Sequence, residues 1–324
     1  MRSFTFTLVF LLTGYWGLAA EMIFYVHPEG KGMGTSWSDA SNDLTYVLSK
    51  ARFGDEIWVA KGTYTPSKEG DRRASFYIRD GVRLFGGFSG SEPDRTYRDW
   101  GRNPTVLSGE IGIPGIDDNS YNVVFTQNAG PQTVIDGFII TMGNANGEDR
   151  KGSRIRCGGG WHDMAANGGV SLPMISNCTF LDNNALEGGA FYANGFNGSS
   201  CPTFTNCSFL SNSAKLDGGA IYSDGRDDST NKIHLINCEF QDNLSSYGGG
   251  IYFENGFGET GLVAEKCIFR KNNGLLWGGA IYYSYPNGGF FDFRMVDCRF
   301  EENYPTDVNK NRFLSESGQD LAKR

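Results

Sequence analysis

Four carboxylates of this 324-residue chain fall at matching positions in neighbouring segments: Asp224 with Glu254, and Glu187 with Asp217, each pair thirty residues apart. If those segments stack as strands, like charges come within about 5 Å, which raises a carboxylate pKa or recruits a cation. The other outcome is a solvated acidic surface. Arg226 and Lys215 are the nearby basic residues, in turns rather than in register. A second series keeps the same interval: Tyr192, Tyr222, Tyr252 and Tyr282, with His162 at its head. If Ile221, Ile251 and Ile281 point inward, the tyrosines line an outer face, where an aromatic ladder stacks on sugar rings. If the faces are swapped, the tyrosines are core. The residues alone leave both arrangements open.

Other chemistries find little support. His27, His162 and His234 are scattered, with no G-x-S-x-G, no Ser/His/Asp order and no P-loop Lys-Ser/Thr after the glycine pairs. Cys178, Cys207, Cys238, Cys267 and Cys298 are spaced 29, 31, 29 and 31, whereas zinc sites want pairs a few residues apart. Stacked parallel residues have parallel Cβ vectors, which suit a disulfide poorly, so a buried thiol stack is expected. Cys157 and Cys201 lie outside that series. The segment 94–103, with Arg95, Arg98 and Arg102, reads as a polar, solvent-exposed loop, with contact to an acidic sugar as the other option. A pI near 5.0 and a net charge of -8 exclude a nucleic-acid footprint.

The elements that must position these residues are written in the repeat. A glycine pair begins at Gly158, Gly188, Gly218, Gly248 and Gly278. Phe180, Phe209, Phe240, Phe269 and Phe300 follow each in-register Cys by two, and Asn183, Asn212, Asn243, Asn272 and Asn303 follow each Phe by three. Cys-x-Phe has the period of a strand, so both side chains share one face, while Gly and Asn supply the turns. One such unit cannot bury its own apolar face, whereas stacked units pair strand to strand and close a continuous core. The expected fold is all-β: a right-handed single-stranded parallel β-helix of about 30-residue coils, regular over 111–303. Residues 21–110 read as an N-terminal cap and first irregular coils. Within them Leu44, Val47, Leu48 and Ala51 form the apolar side of a short capping helix, N-capped by Asn42 or Asp43 and stopped by Gly54. An earlier coil runs from Thr133 to Asn144 with Gly137 at the cysteine position, followed by an inserted loop before Gly158. Residues 304–324 are a polar tail that closes the far end or frays. The start, MRSFTFTLVFLLTGYWGLAA, reads as a signal peptide over 1–20, cut after Ala19 or Ala20, because its apolar run is short for a transmembrane anchor.

The runs GGAF (188–191), GGAI (218–221), GGGI (248–251) and GGAI (278–281), paired with F-x-x-N at Phe180/Asn183 and the four later coils, resemble the repeats of chlamydial-type polymorphic outer membrane proteins. The resemblance covers Gly158 to Asn303 and implies a pectin-lyase-like β-helix. The stretches YVHPEGKGMGTSW and GDEIWVAKGTYTP are similar to the first coils of secreted bacterial β-helix proteins. Polymorphic outer membrane proteins end in a β-barrel that this sequence does not show, so the resemblance implies an exported passenger-type module without implying autotransport.

Two functions follow as expectations. The first is a monomeric, non-catalytic cell-surface, outer-membrane-associated or secreted module. It has no membrane span after cleavage and binds a carbohydrate or host-surface ligand through His162 and the tyrosines. The second is a polysaccharide lyase or glycoside hydrolase. Calcium-dependent lyases of the pectin-lyase-like class hold Ca2+ on stacked carboxylates beside an Arg or Lys base, which here would be Asp224, Glu254, Glu187 and Asp217 with Arg226 or Lys215. Fold alone does not choose. The coils are too alike for one to be set aside for catalysis, so binding is preferred and no cofactor beyond Ca2+ is expected. The inserted loop before Gly158 is the place for an exception.

Overall fold

Two single-residue corners organise each coil. Asn177, Asn206, Asn237, Lys266 and Asp297 occupy one, and Asp182, Ser211, Asp242, Lys271 and Glu302 the other, all with φ between 51 and 55°. Such left-handed residues turn the chain sharply between strands, at a cost that Asn and Asp bear best. In a representative coil, Met174–Ser176 lies on a first face, Thr179–Leu181 on a second, Asn184–Glu187 on a third and Phe191–Asn194 on a fourth. The third corner is the glycine pair. Gly188 has φ +65°, and a Cβ at Gly189 would sit 2.4 Å from the carbonyl oxygen of Gly219 in the next coil. Only glycine allows that approach.

The computed structural model describes residues 21–165, 168–227, 229–284 and 290–310. Equivalent strands pair in parallel into sheets of nine, eight, five and eight strands on the four faces, a β-solenoid of about nine turns. Its interior is filled by like on like. Phe180, Phe209, Phe240, Phe269 and Phe300 stack with ring centres 4.5–5.1 Å apart and nearly parallel planes. The five in-register cysteines run beside them; all seven cysteines are free thiols, Cys157 and Cys201 included.

A buried amide ladder ties the coils together. Asn212 Nδ2 donates to the Phe180 carbonyl at 2.9 Å and to Asn243 Oδ1 at 3.0 Å, and the Asn212 backbone N–H donates to the same oxygen. Asn183, Asn243 and Asn272 repeat the pattern. A carboxylate could not replace them, because each rung needs donor and acceptor on one side chain. The alternating cysteine spacing also has a structural cause. On the third face Asn184–Glu187 and Leu244–Tyr247 are four residues long, while Ser213–Asp217 and Asn273–Trp277 are five, so every second coil carries a bulge that supplies one of the two extra residues. The other enters between the fourth face, where Asn194 pairs with Asp224, and the next first face, where Phe204 pairs with Leu235.

At the N-terminal end, helix α1 (Leu44–Lys50) buries Leu44, Val47 and Leu48 in the main core, with Asp43 capping its start. It ends at the Ala51 cap; Gly54, with φ +91°, turns the chain into the next strand and is not the stop. Gly137 is also displaced from its expected place. Thr179 pairs with Ile139, so Phe138 fills the cysteine position and Gly137, φ +85°, fills the corner of Asn177. The arginine-bearing loop is mostly exposed, as expected, but two of its arginines are tied down: Arg98 pairs with Asp136 at 2.8 Å in a largely buried contact, and Arg95 reaches Glu56 at 2.8 Å. Only Arg102 of the three is well exposed. The strand Val308–Lys310 pairs with the fourth face. The signal-peptide segment 1–20 and the tail from 311 lie outside the described residues.

Two substitutions test this account. Asn243→Ala orphans the buried Asn212 N–H and the Phe209 carbonyl, and is expected to cost ~3 kcal/mol, read as a lower urea midpoint. Lys266→Asn relieves a lysine at φ +55° and extends the exposed chain Asn177–Asn206–Asn237. It is expected to stabilise by ~0.5–1 kcal/mol in the same assay.

Candidate functional site

Strand alternation on the fourth face sends Trp161, Phe191, Ile221, Ile251 and Ile281 into the main core. Their neighbours therefore point out of the solenoid. Tyr77, Phe125, His162, Tyr192, Tyr222, Tyr252 and Tyr282 occupy successive rungs of one outer column. From Phe125 onward the ring centres are 4.9–6.2 Å apart.

This outer column is nevertheless covered. The inserted segment 146–157 lies over it: Arg154 sits 3.9 Å from the Phe125 ring centre, Lys151 sits 5.0 Å from that of Tyr222, and Cys157 packs among the tyrosines. His162, Tyr192 and Tyr222 are completely buried, and Tyr252 and Tyr282 nearly so. The expectation that these five residues stack on sugar rings is therefore corrected. The rings face outward, but the strap lies over Phe125 and Tyr222, Cys157 packs into the column and Tyr247 leans on Tyr282, which leaves little ring surface for a sugar. Burial holds His162 neutral, with its pKa lowered to about 4; Nδ1 donates to the Cys157 carbonyl at 3.1 Å, and Nε2 has no protein partner.

The strap also answers the stacked carboxylates. Arg156 forks onto Glu187 at 2.6 and 2.8 Å, and Arg226, on the turn after its strand, forks onto Asp224 at 2.7 Å through both nitrogens. Lys151 Nζ meets Glu254 at 2.9 Å. The Tyr192 hydroxyl donates to Asp224 at 2.6 Å and the Tyr222 hydroxyl to Glu254. Burial, then the adjacent carboxylates, push both phenols well above their ordinary range. Hydrogen bonding to Asp224 raises the already high Arg226 pKa further, which disqualifies that guanidinium as a base. The cations beside these acids are thus the protein's own. Among the described residues no group of three or more His, Cys, Asp or Glu is placed to hold a metal ion. Lys215 is exposed and joins none of these pairs.

Asp217 differs from the other three. It stands one rung above Glu187, below Tyr247 and Trp277, and among the described residues no ion pair or hydrogen bond engages its side chain. Desolvation, followed by Glu187 and Glu254, raises its pKa to about 6 against the pull of Lys151 and Arg156. Two groups escaped the sequence reading. The strap cations had no register to announce them. Asp163, beside His162, points inward instead and accepts hydrogen bonds from Thr126, Ser171 and Ser200 at 2.6–2.7 Å.

Residues 206–224 match the Chlamydia polymorphic membrane protein repeat. That span carries Phe209, Asn212 and the Gly218 turn, and ends at Asp224. No curated protein and no solved structure matches the chain.

The Asp217 environment sets a pH dependence. A carboxyl whose folded pKa is raised stabilises the fold below its unfolded value and loses that contribution as pH rises through the folded one. Stability attributable to Asp217 should therefore fall between about pH 4 and pH 6. Asp217→Asn is expected to flatten that window and to stabilise at pH 7 by ~1 kcal/mol, the full displacement of ~3 being reduced by solvent screening. Thermal melts from pH 4 to 7 give the measurement, and an unchanged profile in the variant would refute the assignment.

Proposed function

We propose that this protein is an exported, surface-displayed β-solenoid that binds a ligand, of carbohydrate class, rather than transforming one. The observation that carries the reading is the pairing on the fourth face. Each group there that could act as a lyase base or bind a uronate is already engaged: Arg226 by Asp224, Arg156 by Glu187, Lys151 by Glu254, and two tyrosine hydroxyls by the same acids. Catalysis needs such groups free to meet substrate and to exchange protons. The repeat match over 206–224 supports display at a cell surface or outer membrane, the setting in which repeats of that kind are named. No helix among the described residues is long and apolar enough to cross a membrane, which is compatible with an exported passenger.

The test is a parallel one. Purified protein is screened on a glycan array and incubated with pectic and other uronic polysaccharides, with and without calcium, while unsaturated products are followed by absorbance. Array binding without product formation is the expected result. Product formation that Asp224→Ala abolishes would establish a lyase and overturn the binding reading.

A further inference from the structure

Charge is conserved along the strap in a way that leaves one acid over. Three cations, Lys151, Arg156 and Arg226, lie against four carboxylates: Lys151 takes Glu254, Arg156 takes Glu187, and Arg226 takes Asp224 while also reaching Glu254 at 3.5 Å. The fourth, Asp217, keeps an unmatched negative charge at the corner where the third and fourth faces meet. Its neighbours change character there. The rung that holds Glu187 and Asp217 continues as Tyr247 and Trp277, and Trp277 is 52% exposed. Tyr247 leans on Tyr282 at 5.2 Å and 57°, and Tyr282 stacks on Tyr252. Both Tyr252 and Tyr282 feel the Asp217 charge. Leu275 and Leu276, on the same strand as Trp277, are also exposed.

We propose that this corner binds an amino sugar, its ammonium group on the Asp217 carboxylate and its ring against Tyr247 and Trp277. The inference rests on the carbohydrate-binding reading above and specifies its ligand. A half-buried carboxylate beside aromatic faces attracts a cation by direct charge and by the ring quadrupoles together. An exposed Trp supplies the flat apolar surface that a pyranose covers. A uronate is the wrong partner, because it would meet Asp217, Glu187 and Glu254 together. The groups facing Asp217 from all sides are Lys151 and Arg156 of the strap, Glu187 one rung below, Glu254 on the fourth face, and the phenols of Tyr252 and Tyr282. Both strap cations are held by other acids, so neither competes fully for the site.

Glucosamine oligomers and N-acetylglucosamine oligomers of equal length, titrated calorimetrically into the full mature chain, decide the matter. At pH 7 the free-amine oligomer is expected to bind roughly tenfold tighter, the worth of one charge-assisted contact. Asp217→Asn should erase that preference while its melting temperature holds or rises. Trp277→Ala should weaken both oligomers by roughly fivefold or more. At about pH 5 and below, where the amine is fully charged but Asp217 is largely protonated, the preference should be lost. Equal affinities in the wild type, or a preference that survives Asp217→Asn, would overturn the proposal. Tetramethylammonium binding as tightly as the amine oligomer would reassign the corner to a quaternary ammonium group and overturn it too. Failure with both oligomers while other glycans bind on the array sinks this site alone, whereas a blank array removes the binding reading with it.

Discussion

The structure depends on the amide of one asparagine per coil finding the next. In a sheet, backbone groups satisfy each other, but at a left-handed corner the ladder breaks and leaves polar groups facing the core. The buried asparagines repair the break across coils: each side chain accepts the Asn N–H and donates to the Phe carbonyl of the preceding coil, and donates as well to the Asn Oδ1 of the following one. A buried donor without this partner costs more than the bond itself contributes, so coils that slip by one residue are penalised at every rung. Register along the axis follows from that penalty, and so does the parallel stacking of the phenylalanines two positions before the corner.

Fixed register makes repetition dangerous on the outside. Tyr192, Tyr222, Tyr252 and Tyr282 on one outer face, joined by His162 and Phe125, would form a long apolar stripe open to solvent. Parallel sheets are ordinarily covered on both faces for this reason. Here the cover is the segment 146–157, and its charges are chosen for the groups beneath. Lys151 packs over the Tyr222 ring while reaching Glu254, Arg154 covers Phe125, and Arg156 takes Glu187 at the column's margin.

How far this was legible in the sequence divides along the same line. The solenoid was legible because the Phe, Asn and glycine-pair positions each recur where a stacked coil needs them. The alternating 29 and 31 spacing of the cysteines was visible too, though the sequence did not say that a third-face bulge and an extra residue between the fourth and first faces together produce it. The Gly137 position was misjudged by one residue, since a glycine at a corner and a small residue in a strand look alike until the pairing of Ile139 with Thr179 is known. Alternation could say that Tyr222 and Ile221 face opposite ways. It could not say that Tyr222 would be buried, because that depends on Lys151 meeting Glu254 across 103 residues of chain. Covering by a distant insertion leaves no trace in a local period.

The strap also explains why the corner at Asp217 is unlike the coils beside it. Arg156 lies at the Glu187 rung, and Lys151, which could have served Asp217, is drawn to Glu254. Beyond the strap the third face no longer carries acids: Tyr247 and Trp277 stand in the rungs where Glu187 and Asp217 stood. Charge without a counter-ion, and aromatic surface without a cover, therefore coincide at one boundary. A solenoid of near-identical coils has few ways to make one place different from the next. Ending an insertion part-way along the axis is one of them, because it changes solvent access and charge balance at a single rung while leaving the buried ladders of Phe and Asn uninterrupted.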